Sequence, residues 1–476
     1  MIEINPVRGL KGEITIPGDK SISHRAIMLG SLAGGTTRIQ HFLESADCMA
    51  TIHCFRKLGI DIEREHHLAP LLIHGKGLYG LTPSDTVLDV GNSGTTARLL
   101  AGILAGQSFK SEITGDSSLN SRPMGRIISP LKEMNAMITS ISGNNSAPLV
   151  IEPKVRKLKG INHHSSVASA QVKSCLLLAG LYANGITSVT EPYLSRNHTE
   201  LMLKEYGANI KTTWSETGEH SEHTLTFSCH CKHKKEGQRS LPTAILSPGN
   251  PLIAQEILVP GDISSAAFFM VAGLIVPNSE ILMKNIGVNP TRSGILKIIE
   301  KMGGNITLEN ERIQNGEPVA DILVTTSQLK GVIIEGDIIP TLIDEIPIIA
   351  VMANLAEGQT VIKDAKELKV KESNRIDTVV FNLKNMGADI IATNDGMIIN
   401  GGQKLKGTTI QPYHDHRIAM AFSIAALVAK GSTKIMDSHC VNVSYPNFFD
   451  TLTSLFHWSL PKAKACSNPQ TGQIFS

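Results

Sequence analysis

Ile16–Ser23 reads IPGDKSIS and Val259–Ala266 reads VPGDISSA. Each copy passes from an apolar residue through Pro-Gly-Asp into a run of small and apolar side chains. Pro and Gly punctuate a chain, and Asp or Ser after them marks a helix start. Two such passages so far apart predict two halves of like construction, with a seam near Gly261. The fold is decided here, because everything around these passages repeats as well.

Outward from the first copy, the run SISHRAIMLGSLAGGTTRI from Ser21 has a small-and-apolar helical body, a Gly stop and a β-type end. The same plan recurs from Asn92, Ala168, Asp262, Ile343 and Asp415, which makes six copies. A second, amphipathic segment alternates with it: ATIHCFRKLGIDIE from Ala50, then segments from Gly125, Thr199, Gly294 and Thr378, and a truncated FFDTLTSLF from Phe448. Apolar residues at i, i+3, i+4 and i+7 mark a buried helical face, and Gly59, Asn135, Gly207, Gly303 and Gly387 read as C-terminal stops. With the β-rich pieces between them (VLDV at Val87, GVIIEG at Gly331), the unit is strands plus two helices, six times over.

Composition limits the function. Lys and Arg number 45 against 43 Asp and Glu, so the net charge of +2 argues against a dedicated nucleic-acid binder. A 41% hydrophobic and 18% charged chain of 476 residues fits two to three globular domains. Seven scattered cysteines give no disulfide framework, and no apolar stretch reaches the ~18–20 residues needed to span a bilayer. The opening MIEINPVRGLKGEITIPGDK lacks a signal-peptide core, so a cytoplasmic protein is expected, with neither nucleic acid nor membrane as partner.

Polar residues collect at the N-terminal ends of the first helix type: Lys20, Ser21 and Arg25; Asn92 to Thr95; Ser169 and Gln171; Asp344 and Glu345; Asp415, His416 and Arg417. Unpaired N–H groups and the positive dipole end make each such start an anion site, although any single Ser or Asp there also reads as a plain N-cap. Lys371 and Arg375 share a helix face in VKESNR. Asp344 and Glu372, set among these cations, are the candidate proton-transfer groups. Asp415 reads equally well as a structural partner of an arginine.

PGDKSISHRA (from Pro17), DVGNSGTTARLL (Asp89), RPMGRIISPL (Arg122), ASAQVKSCLLLAGL (Ala168), SRNHTE (Ser195), VKESNR (Val370) and DHRIAMAF (Asp415) occur in this order. This set resembles the 5-enolpyruvylshikimate-3-phosphate synthases, or 3-phosphoshikimate 1-carboxyvinyltransferases, in the subset with the ASAQVK motif. The resemblance runs from about Ile4 to about Leu455. It implies an α/β fold: a two-domain inside-out barrel of six βαβαββ-type repeats with the first helices aimed at the interdomain cleft. The domains expected are 21–261, then 1–20 with 262–460, followed by a disordered tail at 461–476.

The implied reaction moves the enolpyruvyl group of phosphoenolpyruvate to the 5-hydroxyl of shikimate 3-phosphate on the way to chorismate and aromatic amino acids. No cofactor or metal is implied, and a monomer is expected. By motif, Lys20, Ser21, Arg25, Ser169, Gln171, Arg196, Asp344 and Lys371 are implied to bind shikimate 3-phosphate. Lys20, Gly94, Arg122, Gln171, Arg375 and Arg417 are implied for phosphoenolpyruvate. Asp344 is implied as the base, Glu372 as the proton relay, and Lys20 as the group assisting phosphate departure.

The chain departs from many members of the family at NVSYPNFF (from Asn442), where Val443 and Ser444 stand near an expected Lys. Gly94 leaves room for the inhibitor glyphosate, which is expected to fit. The stretch 214–258 carries His220, His223, Cys229, His230, Cys231 and His233 before the run KHKKEGQR, and reads as a solvent-facing hairpin rather than a zinc site. Among rivals, a UDP-N-acetylglucosamine 1-carboxyvinyltransferase would need Asn after the first Lys and a reactive loop cysteine. An RNA 3′-terminal phosphate cyclase would need its nucleotide-linking His motif. A non-catalytic anion-binding protein of the same fold would be favoured by loss of Asp344 or Glu372, and both are present.

Overall fold

The computed structural model describes residues 1–66, 69–153, 156–216, 219–222 and 240–456. The tail 461–476, the stretch 457–460, and His223, Cys229, His230, Cys231 and His233 lie outside the described residues. Six helices of the first type are present: Lys20–Leu32, Gly94–Leu104, Ala170–Gly180, Ile263–Ile275, Ile346–Leu355 and His416–Ala426. They are buried nearly all round; every residue from Ile263 to Leu274 is buried. A helix that is apolar on all faces must lie inside, and small residues let such helices close up. A Cβ at Gly102 would lie 2.2 Å from the Cys175 carbonyl oxygen, so Gly94–Leu104 and Ala170–Gly180 touch backbone to backbone.

The second type forms Ala46–Lys57, Gly125–Glu133, His198–Glu205, Gly294–Lys301, Arg375–Asn385 and Phe448–Ser454. The five stops all take positive φ, from +70° at Asn135 to +92° at Gly207 and Gly387. After each stop the next N–H reaches back five residues: Ile60 to Phe55, Ala136 to Leu131, Ala208 to Leu203, Gly304 to Ile299 and Ala388 to Leu383. These are Schellman closures, for which the left-handed stop residue is the requirement.

Four of the units carry a four-stranded sheet with one wiring, a parallel pair and then two antiparallel additions, and the third unit adds one more antiparallel strand. In the first unit Glu256–Leu258 runs parallel to Gly34–Gln40, which pairs antiparallel with Leu71–Lys76 and that with Asp61–Glu63. Its counterpart in the second half opens with Lys11–Thr15 parallel to Glu280–Gly287. The opening strand of each is thus donated from the far end of the chain's excursion. The sixth sheet has three strands, Thr409–Ile410, Thr433–Ile435 and Ile2–Ile4.

Buried apolar side chains fall into two separate clusters. One runs from Ile22 to Val259, and the other joins Ile4, Leu10, Ile14 and Ile16 to residues from Ile263 to Leu455. Between them the two echoing passages lie against each other. Asp19 N–H donates to the Pro260 carbonyl (2.8 Å) and Asp262 N–H to that of Pro17 (2.9 Å). Arg292, buried, bridges the carboxylates of Asp19 (3.0 Å) and Asp262 (3.1 Å). Among the described residues no helix is long and apolar enough to cross a membrane. The strands Asn209–Glu216 and Glu219–Glu222, the latter carrying His220, pair antiparallel at the base of the His/Cys-rich stretch.

Candidate active site

Five of the six inner helices begin with a side-chain cap: Asp19, Ser93, Ser169, Asp262 and Asp415 each accept from an N–H of the first turn. The plain-cap reading therefore holds for Ser169 and Asp415, while Lys20, Ser21, Gln171 and Arg417 lie inside the helices they begin.

In the first half Arg25, Arg98 and Arg122 rest on neutral groups. Arg25 donates to the hydroxyls of Thr199 (2.6 Å) and Ser174 (2.8 Å) and to the Ser21 carbonyl (3.0 Å). Burial pulls its guanidinium down to about 10 despite Glu200 nearby. Arg122 donates to the Asn92 side chain (2.5 Å) and to the Ser118 hydroxyl (3.3 Å). Gln171 donates to Thr95 (3.1 Å) and accepts from Arg98 (2.8 Å), joining the second and third helix starts. Lys20 rests on a carboxylate: burial opposes its charge, but Asp47 at 3.1 Å and then Glu372 outweigh it and raise the ammonium.

The second half is built around carboxylates. Arg375, 1% exposed, donates to Asp415 (2.8 Å), Glu372 (2.7 Å) and Asp344 (3.3 Å). Lys371 lies 3.6 Å from Asp344, and Arg417 donates to the Asp344 backbone carbonyl (3.1 Å). Burial alone would raise the Asp344 carboxyl; Lys371, Arg417, Arg196 and Arg375 together hold it well below the usual carboxylate range. Glu372 is likewise lowered against burial, chiefly by Arg375 and His416. Next door, burial and the Asp344 charge raise Glu345, which accepts from Ser264. Asp415 proves to be both cap and clamp for Arg375, with Ser373 as a third partner (3.0 Å).

The two sets face each other. Arg196 of the first half pairs with Asp344 of the second, Lys20 N–H reaches the Asp262 carboxylate (3.4 Å), and exposed Arg126 lies 3.8 Å from Glu367. Three further residues belong to the arrangement: Asp47, Arg98 and Arg292. Arg98 follows Gly94 by one helical turn, the same spacing that joins Ser21 to Arg25, and that signal is present in the sequence. Asp47 and Arg292 carry no local signal, because their partners lie far along the chain. Ser444 is buried and Asn442 exposed, so no cation comes from the stretch around Val443. Cys48, Cys54, Cys175 and Cys440 are buried, and burial pushes each thiol up to about 12, which leaves no reactive thiolate among the described residues.

Comparison with known proteins agrees over 95% of the chain. The family model for EPSP synthase (3-phosphoshikimate 1-carboxyvinyltransferase) matches residues 4–240 and 220–452. A 3-phosphoshikimate 1-carboxyvinyltransferase of Thermoanaerobacter sp. (strain X514) is 53% identical over 454 residues, covering 95% of this chain and 100% of the relative. The solved EPSP synthase of Acinetobacter baumannii superposes with a TM-score of 0.81 at 43% identity, covering 95% of this chain and 97% of that one. The enolpyruvyl transferase NikO of Streptomyces tendae shares the fold (TM-score 0.71) at 14% identity, over 95% of this chain and 96% of that one. The six-unit α/β architecture is thus the enolpyruvyl transferase fold, and the chain belongs to the EPSP synthase family.

Proposed function

We propose that this chain transfers the enolpyruvyl group of phosphoenolpyruvate to the 5-hydroxyl of shikimate 3-phosphate and releases phosphate. The observation that carries the reading is Arg375, buried with Asp344 on one side and Glu372 on the other. Two carboxylates fixed about one guanidinium, among further cations, suit a reaction that moves protons at two atoms of a polyanionic pair.

In this reading Arg25, Ser169 and Arg196 receive the phosphate of shikimate 3-phosphate, with Lys20, Ser21, Gln171 and Lys371 around its ring. Arg122, Arg375, Arg417, Lys20 and Gln171 hold phosphoenolpyruvate, and Gly94 admits it. Asp344 takes the 5-hydroxyl proton as the hydroxyl oxygen bonds to C2 of phosphoenolpyruvate. A proton passes to C3 by way of Glu372. In the second step C3 returns a proton, the C2–phosphate bond breaks, and Lys20 balances charge on the departing phosphate.

A base held as low as Asp344 is weak while four cations grip it. Substrate anions that draw Arg196, Arg375 and Arg417 toward themselves loosen that grip and raise the carboxylate's basicity. The two cores support residues 21–261 and residues 1–20 with 262–460 as bodies that close on the substrates, hinged at the paired passages near Gly18 and Gly261. One chain supplies every residue named, which fits action as a monomer.

The test is phosphate release on mixing the protein with both substrates. Release that requires both supports the reading. No release, or release only when UDP-N-acetylglucosamine replaces shikimate 3-phosphate, overturns it.

A further inference from the structure

Glu191 follows the strand Thr187–Thr190, has its side chain 2% exposed, and takes no part in the chemistry above. Its carboxylate nevertheless gathers four donors. One oxygen accepts from the Ser169 N–H (2.9 Å), and the other accepts from the Ser195 hydroxyl (2.8 Å) and N–H (3.4 Å) and from the Lys173 ammonium (2.8 Å). Ser169 begins one helix, and Ser195 lies on the loop that carries Arg196. Lys173, one turn after Ser169, also reaches the Ser195 carbonyl (3.3 Å) and Glu200 (2.8 Å) on the following helix. On the same two helices Ser174 and Thr199, 2.6 Å apart, are the hydroxyls that hold Arg25.

We propose that Glu191, with Lys173, is a positioning residue for the phosphate of shikimate 3-phosphate: it fixes Ser169 and Arg196 at the spacing at which, with Arg25, they grip one anion. A buried carboxylate beside a phosphate site would ordinarily repel the ligand. Here Lys173 and Arg25 balance Glu191 and Glu200, and the lone pairs of Glu191 are turned to donors. The Ser169 hydroxyl caps Val172 N–H at only 3.5 Å, at the edge of hydrogen-bond length, so its position depends on the backbone bond to Glu191. The proposal rests on the reading that Ser169, Arg25 and Arg196 bind that phosphate.

The experiment uses the full-length protein with Glu191→Gln, Thr199→Val and Thr199→Ser. Steady-state KM is measured for each substrate with kcat, and shikimate, which lacks the phosphate, serves as a slow alternative acceptor. For Glu191→Gln, KM for shikimate 3-phosphate rises about tenfold or more, the cost of one charged hydrogen bond. KM for phosphoenolpyruvate, kcat at saturation and kcat/KM for shikimate stay within about threefold. Equal losses with both acceptors, or no change with shikimate 3-phosphate, overturn the proposal. Should Glu191→Gln fail to fold, Thr199→Val must show the same selective rise and Thr199→Ser must restore it; a Thr199→Val enzyme with unchanged KM also overturns it. Failure of the parent reading would show separately, as absence of turnover in the unaltered protein.

Discussion

Arg25, among the first-half residues, and Arg375, among the second-half ones, are buried to like extent, 4% and 1% exposed, and differ in what holds them. Arg25 rests on two hydroxyls and a carbonyl; Arg375 rests on three carboxylates. Arg25 and Arg98 are accordingly pulled down to about 10 by burial, whereas Arg375 and Arg292 are raised against burial by their acidic neighbours. Among the described residues Arg25 and Arg98 thus make no hydrogen bond to a carboxylate, which leaves their charge free for an anion. The second half balances its positive charge with Asp344, Glu372 and Asp415, the first two of which we propose carry protons.

The largest way to break this comparison is Asp344→Asn. If the second-half carboxylates do the proton transfer, kcat falls about a thousandfold. Phosphoenolpyruvate binding is retained or tightened, because Arg375 and Arg417 lose a competing charge. Steady-state rates with calorimetric titration of phosphoenolpyruvate measure both; a variant within tenfold of the unaltered kcat would place the chemistry elsewhere.

The pair Arg375→Met and Arg25→Met probes the holding groups directly. Removing Arg375 leaves Asp415, fully buried, without its cation, a loss of about 3–5 kcal/mol of stability. Removing Arg25 leaves Thr199 and Ser174, which already pair with each other at 2.6 Å, so about 1 kcal/mol is expected. Urea unfolding curves give both numbers. Equal losses would mean that the contrast in partners has no energetic content.

A third contrast is in pH. His416 sits at a helix start and burial lowers it to about 4 against the pull of Asp415 and Glu372; His24 in the first half is lowered to about 3. Both are neutral in the fold. Between the ordinary histidine value of ~6.5 and about 4, the unfolded chain takes up protons that the fold refuses, so stability falls as pH drops through that window. His416 alone contributes on the order of 3 kcal/mol. Thermal melts of His416→Asn should flatten the decline between those values, and an unchanged slope would remove His416 as its source.

Much of this was legible in the chain. The five stops are local, since a left-handed closure needs Gly or Asn at one position, and the six inner helices betray themselves by apolar residues on every face. Lys20, Arg25 and Arg375 stood out because each lies at or near a helix start. The paired passages were visible as an echo, but not that they would hydrogen-bond to each other, because register between distant strands leaves no local mark. Asp47, Glu191 and Arg292 were illegible for the same reason: a buried charge is defined by partners as far away as Asp19 is from Arg292. The stretch at 214–258 sharpened least, with its metal-ligating side chains beyond Glu222 outside the described residues.

The smallest effect concerns Gly94, which we propose admits phosphoenolpyruvate beside Arg98 and Arg122. A Cβ there would lie 2.7 Å from one Arg98 nitrogen and 3.5 Å from one of Arg122. Arg98 is the end of a flexible side chain and yields, but in yielding it loosens its 2.8 Å bond to Gln171. Gly94→Ala should therefore fold normally and raise KM for phosphoenolpyruvate about tenfold, the cost of one disturbed charged hydrogen bond. KM for shikimate 3-phosphate, which we propose is held by Arg25 and Ser169 elsewhere, should hardly move. Glyphosate, expected to inhibit the unaltered protein, should lose more than phosphoenolpyruvate does, since a bulkier ligand meets the methyl more closely. A variant that raised both KM values together would show that the two halves' sites are not separable, and a flat glyphosate curve for the unaltered protein would show that the space beside Gly94 is already closed.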